Sequence, residues 1–193
     1  MKDNQSSKTC SGSESTEGWY LLGNTPNQLL TSCTGVTNAI GYIKSSQTIQ
    51  VTGGNFTTNS TSLTTITGLT WTAPVSFASN WSFHCLVPYS VSASALVAFG
   101  IQGATTAPTS LFAAANMFTS NGGAAAEGSK TITNTTATTL VNATQNATGT
   151  VFQATIDGTA ELPLNVSPTV LNFMADVSTG TLTIERGAYC QVF

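Results

Sequence analysis

The segment NWSFHCLVPYS, residues 80–90, alternates large apolar side chains with smaller or more polar ones. Its odd-numbered positions carry Trp81, Phe83, Cys85, Val87 and Tyr89. The positions between and after them carry Ser82, His84, Leu86, Pro88 and Ser90. Because successive side chains of a strand point to opposite faces, this pattern predicts a β-strand with one face in a core. Pro88 has no backbone N–H, so we expect it to mark a sheet edge or a strand end.

The same two-residue period recurs on both sides of this segment. It is found, with small interruptions, in TIQVTGGNFTT (48–58), TSLTTITGLTWTAP (61–74), SALVAFGIQGA (94–104), TVFQATIDGTAELPL (150–164), PTVLNFMADVS (168–178) and TLTIERGAYCQVF (181–193). The apolar spacing slips within 61–74, and a bulge near Gly68 would restore the register. We expect 94–104 to form a hairpin with 80–90 across a short Ser-rich turn. About eight to ten short strands with frequent turn signals predict an antiparallel β-sandwich or jelly roll over residues 48–193.

Three stretches are harder to interpret. Residues 107–120, APTSLFAAANMFTS, favour a strand or an irregular segment in this Thr-rich context. Residues 121–130, NGGAAAEGSK, predict an exposed loop. Asp157-Gly158 is typical of a turn.

The composition limits the function. Only 7% of the residues are charged, against about 25% in an ordinary soluble domain. The five basic residues are scattered, so we expect no nucleic-acid partner. A chain with this little charge is typical of an assembly in which much of the surface is covered.

The four cysteines are Cys10, Cys33, Cys85 and Cys190, and their spacing matches no zinc pattern. We expect reduced thiols, with Cys85 and Cys190 packed as small apolar groups. A disulfide between Cys85 and Cys190 is the alternative if the protein matures in an oxidising medium.

Residues 1–47 are predicted to be an N-terminal arm that is extended and flexible at its start. No apolar signal-peptide core is found there, and no apolar run reaches the ~20 residues that a membrane helix needs, so we expect no membrane partner. Within the arm, Trp19, Tyr20, Leu21 and Leu22 form an abrupt apolar cluster. The cluster packs against the core, starts the first strand or anchors the arm on another protein.

Catalytic chemistry has little support. His84 is the only histidine, and a Ser-His-Asp arrangement would need Asp3, Asp157 or Asp176 beside it. Paired carboxylates for glycoside hydrolysis would have to come from Asp157, Glu161, Asp176 and Glu185. We expect a protein that is not an enzyme, with no catalytic, cofactor-binding or metal site and no cofactor. As a lone histidine, His84 is more typical of a surface or partner contact.

Four segments resemble a group of phage structural proteins with tumour-necrosis-factor-like jelly rolls, which includes capsid decoration (cement) proteins and fibre tips. The matching residues are Trp81, Phe83 and Cys85; Gly149 to Phe152; and Leu182, Ile184, Arg186, Gly187, Tyr189 and Cys190. Ala188 stands where that group commonly has Ser. The resemblance covers about residues 80–193, and its motifs are packing motifs that carry no chemistry.

The resemblance implies an all-β protein: a jelly-roll sandwich after an arm, assembled as a homotrimer. The last strand would then be paired on both sides, with Leu182 and Ile184 in the core and a bend at Gly187. Candidate trimer or core residues are Trp81, Phe83, Tyr89, Arg186, Tyr189 and Phe193. Arg186, the only arginine, is expected to be a paired or interface charge.

We therefore expect a bacteriophage virion protein on the outer capsid surface, assembled in the host cytoplasm. Its partner would be the major capsid protein, which Trp19 to Leu22 would contact. The short chain, which leaves no room for a long shaft, favours decoration over a fibre. The alternative is a receptor-binding or fibre-tip module that recognises a host glycan through the loops at 103–110 and 120–135.

Overall fold

The computed structural model describes residues 46–73, 79–118, 125–163 and 168–193, which contain twelve strands and no helix. The strands are β1 (Gln47–Gln50), β2 (Phe56–Thr58), β3 (Thr64–Thr72), β4 (Ser79–Val91), β5 (Ala95–Ala104), β6 (Ser110–Phe118), β7 (Ala125–Ile132), β8 (Thr138–Gln145), β9 (Phe152–Leu162), β10 (Val170–Val177), β11 (Leu182–Ile184) and β12 (Tyr189–Val192). Nearly the whole arm predicted at 1–47, including Trp19 to Leu22, lies outside the described residues. The boundaries proposed for the arm and the domain stay predictions.

Two antiparallel sheets make up the described fold. The large sheet has the order β1-β12-β4-β9-β6-β7, and β11 and β2 continue it beside one end of β4. The small sheet has the order β3-β10-β5-β8.

The strand order is that of a jelly roll. Pairs form between β1 and β12, β3 and β10, β4 and β9, and β5 and β8. The chain therefore folds as one long hairpin that wraps into two sheets, with β12 beside β4 and β10 beside β5. The β6–β7 hairpin is inserted between β5 and β8 and widens the large sheet beyond β9. The predicted all-β sandwich is confirmed.

The face of β4 predicted to be apolar forms the centre of the core. Trp81, Phe83, Cys85, Val87 and Tyr89 are all buried. Three aromatic pairs join this strand to the small sheet, with ring centroids 4.8 Å apart for Trp71–Trp81, 5.4 Å for Phe83–Phe173 and 5.2 Å for Tyr89–Phe99. Each such side chain contributes about 1.5–3 kcal/mol through burial.

The predicted hairpin between 80–90 and 94–104 is wrong. These segments are β4 and β5, which lie in different sheets. The link at residues 92–94 crosses from one sheet to the other. Both strands carry a large apolar face, and the Tyr89 and Phe99 rings meet edge to face across the sandwich. Facing sheets bury both surfaces, which side-by-side pairing would not do.

Pro88 lies inside the central strand β4, and the prediction of an edge or strand end is wrong. Its carbonyl oxygen accepts a hydrogen bond from the Glu185 N–H. In an antiparallel strand the N–H and C=O of one residue point to the same neighbour. On that side β11 ends and β12 begins, and a turn at Arg186 and Gly187 interrupts the neighbouring strand. The missing N–H of Pro88 therefore costs no ladder bond.

The prediction of a loop at 121–130 is wrong from Ala125 onward, because β7 pairs there with β6 over eight residues. The small residues Ala125, Ala126, Gly128 and Ser129 give no strand signal in the sequence. Glu127 and Lys130 place charges on this edge strand, as edge strands commonly do. Residues 110–118 form a strand, which is one of the two alternatives for 107–120.

The bulge predicted near Gly68 is confirmed. The register of β3 on β10 shifts between Thr65 opposite Met174 and Thr70 opposite Asn172. Gly68 has a φ of 94°, which residues other than glycine rarely adopt.

Asp157 and Gly158 lie in the middle of β9, so the predicted turn is wrong. Gly158 pairs with Phe83 on β4, and the Phe83 ring fills the space that a side chain would occupy. The glycine therefore allows close packing against an aromatic ring, although an Asp-Gly pair is typical of turns.

We expect Gly158→Ala to lower the free energy of unfolding by about 3 kcal/mol, because overpacking a rigid core forces shifts. A Cβ atom there would overlap both the Phe112 carbonyl oxygen and the Phe83 ring. Gly53→Ala is the matched control, since its Cβ would meet nothing within 4 Å. Urea unfolding of both variants checks the prediction, and equal stabilities would contradict it.

The C-terminal segment is built into the large sheet, as expected. β12 pairs with β1 on one side and β4 on the other. Leu182 and Ile184 are buried, and Gly187 has a φ of 95° at the turn between β11 and β12. The chain end is therefore a structural strand with two partners.

Cys85 and Cys190 form a disulfide, so the expectation of reduced thiols is wrong for this pair. The register places them directly opposite each other on β4 and β12, with their Cα atoms 3.9 Å apart. Both are fully buried. Cys10 and Cys33 lie outside the described residues.

Candidate functional site

The predicted trimer or core residues divide into two groups. Trp81, Phe83 and Tyr89 are buried between the sheets, where no second molecule reaches them. Tyr189 is half-buried, and Arg186 and Phe193 are exposed. A contact site must therefore be sought on the solvent side of the large sheet.

The outer face of the large sheet is the solvent side of β12, β4, β9 and β6. The register places on it Tyr189, Gln191, Phe193, Ser82, His84, Leu86, Thr155, Asp157, Thr159, Glu161, Phe112, Ala114, Asn116 and Phe118. Three phenylalanines on this face stay half-exposed: Phe112 at 46%, Phe118 at 50% and Phe193 at 50%. His84, Asp157 and Glu161 are its acidic and basic side chains, and the other positions carry apolar, amide or hydroxyl groups.

Two of these phenylalanines lie in one row across the sheet. Phe193 exchanges two backbone hydrogen bonds with Ser82, at 2.8 and 3.0 Å. Ser82 pairs with Thr159, which pairs with Phe112. The row therefore begins and ends with an exposed ring, and small hydroxyl side chains lie between them.

The neighbouring row has His84 and Asp157 at its centre. Gln191, His84, Asp157 and Ala114 follow one another across β12, β4, β9 and β6. His84 Nδ1 lies 2.5 Å from Asp157 Oδ1, and the two side chains are 41% and 50% exposed. A carboxylate only accepts hydrogen bonds, so His84 Nδ1 donates. This is the one ion pair that the described residues form.

Phe118 is held in place by a buried polar contact. The Tyr89 hydroxyl donates to the Phe118 carbonyl oxygen at 2.6 Å, and Gln145 Nε2 donates to the Tyr89 hydroxyl at 3.3 Å. Burial raises the pKa of Tyr89 to about 12, so the hydroxyl keeps its donor proton. The end of β6 is thereby tied to β4 and β8.

The outer face of the small sheet differs in character. Its polar side chains satisfy one another: Thr70 donates to Asn172, Asn172 to Gln102, and Gln102 to the Thr135 carbonyl oxygen. Asp176 is the charge on β10, and burial raises the pKa of its carboxyl. No half-exposed aromatic side chain occurs among its described residues. The large sheet is therefore the better candidate for a contact surface.

Arg186 does not form the expected ion pair within the described residues. Its backbone N–H donates to Asn55 Oδ1 at 2.8 Å. The neighbouring Glu185 accepts from Asn55 Nδ2 and from the Ser90 hydroxyl. These bonds fasten the turn before β12 to the residues 52–55 loop.

Sequence reasoning missed Phe112 and Phe118, and it named Asp157 only as one of three possible neighbours of His84. A signal for the phenylalanines exists, because LFAAANMF (111–118) is apolar on both faces of its strand. Such a strand is typical of a sheet whose solvent side is covered by a partner. The ion pair has no local signal, since its members are 73 residues apart.

Among the described residues, no three His, Cys, Asp or Glu side chains converge as a metal site would require. A shallow pocket of about 330 Å³ is lined by residues 51–57 with Thr67 and Gly68, and none of these is ionisable. No helix in the described ranges has the length and apolarity to cross a membrane.

No protein-family model and no curated protein matches the chain. Among solved structures, it is similar to a chain in the "Structure of infectious bursal disease virus Gx strain", at 11% identity and a TM-score of 0.20. The similarity covers 86% of this chain and 45% of the viral chain, so this chain spans less than half the length of the viral chain. A score this low carries no argument, and the jelly-roll assignment rests on the strand order.

Proposed function

We propose that this protein is a structural component of a virus particle, a bacteriophage capsid decoration protein that binds the outer capsid surface as a homotrimer. It stabilises the shell by non-covalent clamping of the major capsid protein and performs no catalysis. The observation that carries the proposal is the outer face of the large sheet, with its half-exposed phenylalanines in a chain of very low charge.

The outer face suits contact with further copies of the same chain. Burying its three phenylalanines would contribute about 1.5–3 kcal/mol for each fully covered ring. Few positions on it are charged, which limits like-charge repulsion between copies. The jelly-roll strand order and the sequence resemblance favour three copies around an axis.

Attachment to the capsid is assigned to the arm, residues 1–47, with Trp19 to Leu22 as the apolar anchor. Aromatic anchors commonly dominate protein interfaces. The protein would be assembled with the particle in the host cytoplasm.

Sedimentation equilibrium tests the trimer. We expect the wild type to be trimeric and Phe112→Ser/Phe193→Ser to shift toward monomer, by about tenfold or more in affinity for each ring removed. Leu96→Ser is the control, because Leu96 is 42% exposed but lies on the small sheet. A monomeric wild type, or an equal effect of Leu96→Ser, would contradict the proposal.

Particle binding tests the decoration role. Copy number on virions should reach hundreds, whereas a few to a few dozen copies would indicate a fibre. A chain lacking residues 1–22 should lose occupancy on capsids, and full occupancy would refute the clamp assignment.

The solvent side of β6 favours a second candidate function, a receptor-binding module for a host glycan. Phe112, Asn116 and Phe118 share its solvent side, with Thr155 beside Asn116, and sugar sites combine aromatic rings with amides. Asn116→Ala should abolish binding on a glycan array under this alternative and leave capsid binding unchanged under decoration.

A further inference from the structure

The His84–Asp157 pair is unusual in this chain. Only 7% of the residues are charged and His84 is the single histidine, yet it forms the one ion pair of the described ranges. The pair lies within the outer face, next to the row that contains Phe193 and Phe112. Both side chains are about half-exposed, so in a single subunit water screens the attraction and it contributes little.

The surroundings of the pair are uncharged in the sheet register. Gln191 and Ala114 are its row neighbours, and Ser82, Leu86, Thr155 and Thr159 flank it along β4 and β9. The other titratable or charged groups of the large sheet and its turns are Tyr189, Glu127, Lys130, Glu161, Glu185 and Arg186. Within the described residues, none of these forms a hydrogen bond or an ion pair with His84 or Asp157.

We propose that this pair makes self-association of the outer face pH dependent, tighter near pH 6 than near pH 8. The inference rests on the homotrimer of the proposed function. Covering the face removes water from both side chains. A neutral imidazole would leave the Asp157 carboxylate as an uncompensated buried charge, which is costly. An imidazolium compensates it.

The sign follows from proton linkage. Histidine side chains change charge between about pH 5 and 8. If the assembled form favours the protonated pair, association takes up protons, and a lower pH within that range strengthens it. The same reasoning predicts the opposite response when the carboxylate is removed, because the imidazolium is then the unpaired buried charge.

Sedimentation equilibrium at pH 6 and pH 8 tests the proposal on the full chain. For the wild type we expect association to be about tenfold tighter at pH 6 than at pH 8. His84→Gln should associate equally at both pH values. Asp157→Asn should reverse the order and associate more tightly at pH 8. Glu161→Gln, which removes a charge from the same strand at a position that pairs with Asn80, should keep the wild-type response.

The outcomes separate this inference from the trimer itself. A wild type that stays monomeric at both pH values overturns the homotrimer and the inference with it. A trimer of equal affinity at pH 6 and pH 8 overturns the inference alone. A pH response that persists in His84→Gln, or disappears in Glu161→Gln, also overturns it. Circular dichroism at both pH values confirms that each variant is folded before its affinity is compared.

Discussion

A chain that lacks Tyr189–Phe193 is expected not to fold. The deletion removes β12, which lies between β1 and β4, and β1 has no other partner strand among the described residues. It also removes the buried Cys190 and Val192 and opens the core beneath them. The free energy of unfolding of such a domain is only about 5–15 kcal/mol. Loss of β12 is expected to lower it by an amount of that order.

Thermal unfolding followed by circular dichroism measures the result, and we expect no cooperative transition. Tyr189→Ser/Gln191→Ser/Phe193→Ser is the matched control, since it changes the same segment but keeps both inward side chains. The control should melt cooperatively, although its self-association should be weaker. A truncated chain that is folded and trimeric would refute the assignment of β12 as an essential strand.

Removal of the Cys85–Cys190 disulfide is expected to cost about 4–5 kcal/mol of unfolding free energy. The bond joins residues that are 105 positions apart, and closing a loop of about 100 residues in the unfolded chain corresponds to about 4.7 kcal/mol in the chain-entropy model. It also holds the last strand to the centre of the large sheet. Cys85→Ala/Cys190→Ala should therefore unfold at a clearly lower urea concentration than the oxidised wild type.

The reductant dependence provides the control for this prediction. Wild-type protein that has been unfolded and refolded with reductant should match the double variant, whereas the double variant should not respond to reductant. Reduction of the folded protein should be slow, because both sulfur-bearing side chains are fully buried. Equal stability of the oxidised and reduced wild type would show that the bond contributes nothing.

The candidate site was predictable only in part. Tyr189 and Phe193 were named from the resemblance of the last strand, and both lie on the outer face. Trp81, Phe83 and Tyr89 were named with them. Alternation shows that one face of the strand is buried, but it does not distinguish burial by the second sheet from burial by a second molecule. Phe112 and Phe118 were overlooked because both faces of β6 are apolar.

Local alternation in the sequence by itself determined the β class and the inward positions of several strands. The odd positions of 81–89, together with Leu171, Phe173 and Ala175, are buried as their pattern indicates. This part is local, because a strand's side chains alternate whatever strand lies beside it.

Only the tertiary structure decided which strands are neighbours. Pairing partners are distant in the chain: β4 lies between β9 and β12, and its sequence neighbour β5 lies in the other sheet. The same long-range register places Cys190 opposite Cys85, Asp157 opposite His84 and Gly158 opposite Phe83. Backbone N–H and C=O groups are alike at nearly every residue, so they do not encode their partners. Packing of the two apolar faces selects the register, and that selection depends on the whole sandwich at once.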